Sequence, residues 1–180
     1  MISHNHMTNE HKIVLGGAGI ILAALVVFAL TSAPSSAPIG APTDHETPSA
    51  NAAPTRDLIA EHSAHDFGAI SMAKGKVSKS FSIKNTSAQP LTVNKIFTSC
   101  MCTVASIVHE GHTEGPFGMP GHGIIPSIDI ALAPGKTAEV EVTFDPAAHG
   151  PAGVGPIARE IYVDSSAGRL TLNFTAQVTP

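Results

Sequence analysis

The chain has 180 residues, of which 43% are hydrophobic, 4% aromatic and 13% charged. That is too apolar for a disordered chain. A formal net charge of −4 excludes the clustered basic surface on which nucleic-acid binding rests. With no Trp and one Tyr there is no stacking platform for bases or sugars.

Residues 1–12 form a short polar N-terminus. Residues 13–30 read IVLGGAGIILAALVVFAL, 18 residues without a charge, just long enough to cross a hydrocarbon core of ~30 Å at ~1.5 Å per residue. A cleaved signal peptide has a shorter apolar region, ~7–15 residues, ending in a small-x-small site. The candidates here, Thr31-Ser32-Ala33 and Ser35-Ser36-Ala37, are each followed by proline, Pro34 and Pro38, which disfavours cleavage. The sequence predicts an uncleaved signal anchor, one transmembrane helix, over a cleaved signal or a buried core helix. Lys12 precedes the span and no Lys or Arg follows it before Arg56. The positive-inside rule then keeps residues 1–12 in the cytoplasm and sends the rest to the periplasm or outside the cell. The expected location is the cytoplasmic membrane, single-pass.

Residues 31–57 read as a linker, with 19 of these 27 residues Ala, Pro, Ser or Thr. Such a segment cannot bury enough apolar surface to offset its ordering entropy, and its prolines favour an extended tether. Residues 58–180 have the size of one domain with one core.

That domain reads as all-β. Ala138, Val140, Val142 and Phe144 alternate with Glu139, Glu141 and Thr143. Leu170, Leu172, Phe174, Ala176 and Val178 alternate with Thr171, Asn173, Thr175 and Gln177. This is the period of two of strands with one buried face. Further strands are expected at Phe67–Ile70, Val77–Lys84, Leu91–Phe97, Cys102–Val108, Ser127–Ala131 and Ile157–Asp164. They are separated by turn signals such as Asn85-Thr86-Ser87, Ala133-Pro134-Gly135-Lys136 and Ser165-Ser166-Ala167-Gly168. Seven or eight short strands fit an antiparallel β-sandwich. Two Gly/Pro-rich stretches, His109–Ile125 and Asp145–Pro156, are too long for simple turns.

The order Asp66-Phe67-Gly68, Phe81-Ser82-Ile83-Lys84-Asn85-Thr86, Pro90-Leu91-Thr92-Val93, Ser99-Cys100-Met101-Cys102-Thr103, Ala133-Pro134-Gly135 resembles a bacterial family of uncharacterised extracytoplasmic domains. That family carries a Ser-Cys-Gly-Cys-Thr signature and is related to the immunoglobulin-like domains of Hydin and the major sperm protein. The resemblance covers about Glu61 to Val178 and implies an immunoglobulin-like fold with no known activity. Met101 stands where the family has Gly, and His109–Ile125 looks like an insertion.

Cys100 and Cys102 are the only cysteines. On a strand, residues i and i+2 share a face, so both sulfurs converge on one object. Three readings stand open: a disulfide, the default for an exported protein with an even cysteine count; two buried thiols; or a metal site. A fully extended Cys-x-Cys puts the Cα atoms ~6.5–7 Å apart, the upper limit for a bridge. The metal reading draws on the next segment of the chain, which carries His109-x-x-His112 and then Met119-x-x-His122. Thiolate and thioether select Cu(I), and imidazole suits copper or zinc. The candidate ligands are Cys100, Cys102, His109, His112, Met119 and His122, with copper favoured over zinc.

No nucleophile elbow, phosphate loop or dinucleotide fingerprint is present. The expected function is a non-catalytic, membrane-tethered binding or assembly module of the cell envelope with a protein partner there. Copper handling through the Cys-x-Cys strand and the His/Met loop is the alternative. A reporter fused after Pro180 is expected to be active only outside the cytoplasm, with the full-length chain retained in membranes after alkaline washing. A soluble mature form beginning after Leu30 contradicts the anchor.

Overall fold

A computed structural model describes residues 53–180; the predicted span at 13–30 and most of the linker lie outside the described residues. Among the described residues no helix is long and apolar enough to cross a membrane. They form ten strands: β1 Leu58–Ala60, β2 Ala64–Ser71, β3 Val77–Asn85, β4 Leu91–Thr98, β5 Thr103–His109, β6 His112–Phe117, β7 Ile130–Leu132, β8 Thr137–Phe144, β9 Gly155–Ser165 and β10 Gly168–Thr179. Two short 3-10 turns, Met72–Lys74 and Gly150–Gly153, are the only helical pieces among these residues.

Two five-stranded sheets face each other, in the orders β1-β3-β8-β5-β6 and β2-β10-β9-β4-β7. Four strands of the first, β1-β3-β8-β5, and three of the second, β10-β9-β4, repeat the ABED and GFC arrangement of immunoglobulin sandwiches. The first strand is divided between the sheets: β1 pairs antiparallel with β3 and β2 parallel with β10. Ten strands replace the seven or eight expected. β1 is only three residues long. β6 carries no apolar alternation to betray it, since all of it but Phe117 is exposed.

The alternation read in β8 and β10 is the core. Val140, Val142, Leu172, Phe174 and Val178 are buried with Phe81, Ile83 and Ile107 from the first sheet and Val93, Ile161 and Val163 from the second. Phe174 joins the layers, 5.3 Å between ring centroids from both Phe144 and Phe67. β4 breaks the period of two. Val93 pairs with Ser165 and Lys95 with Asp164, so Asn94 is an extra, bulged residue whose carbonyl accepts from the Ile128 amide at 3.0 Å. The bulge turns Ile96 inward beside Val93 and puts Phe97 on the outer face with Tyr162 and Arg169. There the Arg169 guanidinium lies 5.0 Å and 5.1 Å from the two ring centroids. It also forks onto Asp164 at 2.6 and 2.9 Å, a pairing that raises its already high pKa. The hydrogen bond from the Tyr162 hydroxyl to Glu160 likewise raises the phenol's pKa.

The sequence motifs have local jobs. At Asp66-Phe67-Gly68, β2 carries one more residue than β10 between the pairs Asp66–Thr175 and Ala69–Gln177. Gly68 takes φ +65° there. Its amide (2.9 Å) and the Thr175 hydroxyl (3.1 Å) donate to Asp66 Oδ1 and hold that carboxyl below its ordinary pKa, the amide first. Asn85 is 0% exposed. Its Nδ2 donates to the Gln89 and Leu132 carbonyls, both at 2.8 Å, while its Oδ1 accepts from the Ser87 amide and hydroxyl. It thereby ties the β3–β4 turn to the end of β7.

The connections sort to two ends. The turns 85–91, 109–112, 132–137 and 165–168 share one end. Residues 53–57 also lie there, with the Thr55 amide donating to Arg169 O at 3.0 Å and the Arg169 amide to Ala53 O at 2.8 Å. The connections 71–77, 98–103 and 144–155 share the other, the cysteine end.

Phe144→Ala and Phe174→Ala are each expected to cost about 3–5 kcal/mol in denaturant unfolding. Thr143→Ala and Asn173→Ala, on the outer faces, should stay within about 0.5 kcal/mol. Equal losses on the two faces would contradict the register. Asn85→Leu is expected to cost about 2–3 kcal/mol despite its apolar gain, because two carbonyls lose their donor; a loss below about 0.5 kcal/mol would contradict that role.

Candidate functional site

Cys100 and Cys102 lie in the β4–β5 connection rather than on a strand. The Thr103 amide donates to Cys100 O at 3.1 Å, which closes a β-turn over residues 100–103. The buried Thr98 hydroxyl bridges the Cys100 and Thr103 carbonyls, 3.0 Å from each. The turn draws the two Cα atoms to 5.3 Å, and the sulfurs are joined as a disulfide. The extended Cys-x-Cys expected from sequence is therefore corrected: a turn shortens the span into the range a bridge needs.

Two neighbouring segments clamp this turn. Ser99 donates its amide to Glu160 O and accepts the Glu160 amide on its hydroxyl, both at 2.9 Å, which brings Arg159 alongside. Arg159 Nε donates to Cys102 Sγ at 3.3 Å. On the other side the Asp145 amide donates to Cys102 O at 2.9 Å. Asp145 then starts a turn by accepting the Ala147 amide on Oδ1 at 2.9 Å, and that turn delivers His149. Its Nε2 is 3.2 Å from Cys100 Sγ.

The two sulfurs differ in exposure. Cys102 is 3% exposed, while Cys100 is half-buried and opens on a cleft lined by Ser99, His149, Arg159, Glu160, Asn173 and Thr175. The Sγ atoms and one His149 ring nitrogen all lie within 4.8 Å of one another. This is the only group of three or more such His, Cys, Asp or Glu ligands among the described residues.

The other predicted ligands lie elsewhere. His109 and His112 face each other across the β5–β6 hairpin, whose two loop residues, Glu110 and Gly111, both have positive φ. β5 carries this pair to the opposite end, roughly 20 Å from Cys102 at ~3.3 Å per residue. There His109 Nδ1 sits 3.3 Å from Thr137 O, and both histidines line a cleft with Glu114 and Asp129. β6 then returns the chain to the cysteine end, where Gly118 O accepts the Thr98 amide at 3.1 Å. Met119 and His122 come next in a turn of their own, the His122 amide donating to Met119 O at 3.2 Å. Sequence reasoning missed His149 and Arg159: His149 is 49 residues from Cys100, and no spacing links them.

Residues 58–117, a third of the chain, match a family described as "Protein of unknown function (DUF1573)". The matched stretch includes Ser99–Thr103. No curated protein matches the chain. Among solved structures, a protein of unknown function from Porphyromonas gingivalis W83 is similar at 17% identity and TM-score 0.49, over 73% of this chain and 51% of that one. This chain thus spans about half the length of that protein. The PapD-like domain 7 of human CEP192 gives 12% identity and TM-score 0.43, over 77% and 96%. A copper-bound PCuAC domain from PmoF2 gives 14% and 0.39, over 72% and 99%. At these values the likenesses say nothing of what this chain binds or does.

Proposed function

We propose that this chain is a membrane-tethered, extracytoplasmic, non-catalytic binding or assembly module of the cell envelope, built on an immunoglobulin-like sandwich of the Hydin and major sperm protein kind. The observation that carries the reading is the two-ended arrangement of connections. Residues 53–57 join the sandwich at one end, while three connections from β2, β4 and β8 gather at the other. With an anchor at residues 13–30 and a linker at residues 31–57 preceding the sandwich, the connections gathered at the cysteine end are the surface proposed for a protein partner. Loops at one end of a sandwich, positioned by a rigid frame, are a recurrent recognition surface.

The test uses the full-length chain in living cells. A photo-crosslinking residue is placed at exposed Ala73, Ala148 or Ala152 of the cysteine end, or at exposed Ala88, Pro134 or Ser166 of the opposite end. A discrete adduct with an envelope protein is expected from the first set and not the second. Adducts of equal yield from both ends, or from the second set only, would overturn the reading.

A further inference from the structure

We propose that Cys100, Cys102 and His149 form a three-donor site for Cu(I) that opens only when the cysteine pair is reduced. Three donor atoms within 4.8 Å of one another need only small movements to share one ion, since metal–sulfur and metal–imidazole bonds run about 2.0–2.3 Å. Two thiolates and one imidazole are a soft set of three. That set suits Cu(I), whereas structural zinc asks for four ligands, and the cluster supplies no fourth His, Cys or carboxylate.

Charge points the same way. Cu(I) with two thiolates and a neutral imidazole is a net anion, and the Arg159 guanidinium already donates to Cys102 Sγ at 3.3 Å. Zn²⁺ with the same ligands would be neutral and would gain less from that cation. Arg159 is a positioning and charge-balancing residue rather than a ligand.

Opening the site requires two electrons and two protons. An external dithiol of the thioredoxin class supplies them by exchange: its thiolate attacks Cys100 Sγ, the sulfur that faces the cleft. Cys102 leaves as a thiolate beside Arg159. The donor's second thiol then resolves the mixed disulfide, so that one S–S bond breaks here and one forms in the donor. Cu(I) then displaces the two thiol protons.

The experiment uses the full chain in detergent with His4, His6 and His11 changed to Asn, so that the N-terminal histidines add no background. The protein is reduced with a phosphine, desalted without oxygen, and titrated with Cu(I) against a chromogenic bidentate chelator. About one Cu(I) per chain is expected for the reduced form and none for the oxidised form. Cys100→Ser with Cys102→Ser should abolish retention. His149→Asn should weaken it about tenfold or more and Arg159→Gln by a smaller factor, while His109→Asn, His112→Asn and His122→Asn combined should leave it unchanged. His149 is exposed, so its variant is expected to keep the wild-type melting curve, and a matching melt separates ligand loss from unfolding. Failure of the reduced chain to compete overturns the site. So does wild-type retention by His149→Asn, loss of copper in the triple-histidine variant, or stoichiometric Zn²⁺ binding without Cu(I).

Discussion

The structure turns on the crossing from β4 to β5. Stacked sheets lie about 10 Å apart, and the chain must leave one at Thr98 and join the other at Thr103 with four residues between them. A tight turn makes that step. The Thr98 hydroxyl, 1% exposed, lies within hydrogen-bond reach of the carbonyls of Cys100 in the turn and of Thr103 at the start of β5. Once the turn exists, the closeness of Cys100 and Cys102 results from it, as does the position of Ser99 against β9. The cysteine site is thus a by-product of where this sandwich changes sheets.

Much of the fold was legible because strands with one buried face write their geometry into every second residue. β8 did so throughout and β10 from Leu172 onward, where the apolar positions are the buried ones; at the start of β10 Leu170 is half-buried and Arg169 is buried instead. β4 shows the limit: Leu91 and Val93 keep the period, then the bulge at Asn94 shifts it, so Lys95 and Phe97 leave the core side that simple alternation assigns them. A bulge is fixed by its partner strand, and nothing within Leu91–Phe97 announces it. β6 was illegible for a different reason. An edge strand with its side chains in water has no need of apolar residues, and its Glu110-Gly111 loop lacks the Asn-Gly or Asp-Gly signature of such hairpins.

The site was half legible. Two cysteines one residue apart mark their own importance, and both belong to it. The histidines next along the chain looked closest in sequence. A strand of seven residues and a hairpin lie between, and strands separate what they connect. His149 and Arg159 arrive from the β8–β9 connection and from β9, and their proximity is a property of sheet order. The resemblance to an extracytoplasmic immunoglobulin-like family named the right class of strand plan, but its signature covers only the turn and neither neighbour.

The same network bears on what reduction of the cysteine pair does to the structure. Most contacts that shape the turn are made by backbone groups or by Thr98 and Ser99: the Thr103 amide to Cys100 O, the Asp145 amide to Cys102 O, and the reciprocal Ser99–Glu160 pair. Beside these, sulfur itself accepts from the Cys102 amide, at Cys100 Sγ, and from Arg159 Nε, at Cys102 Sγ, both at 3.3 Å. A bridge spanning two residues closes a very short loop and removes little entropy from the unfolded chain. The backbone bonds of the turn are made independently of the S–S bond, and they hold the two sulfurs with Cys100 facing His149 and Cys102 facing Arg159.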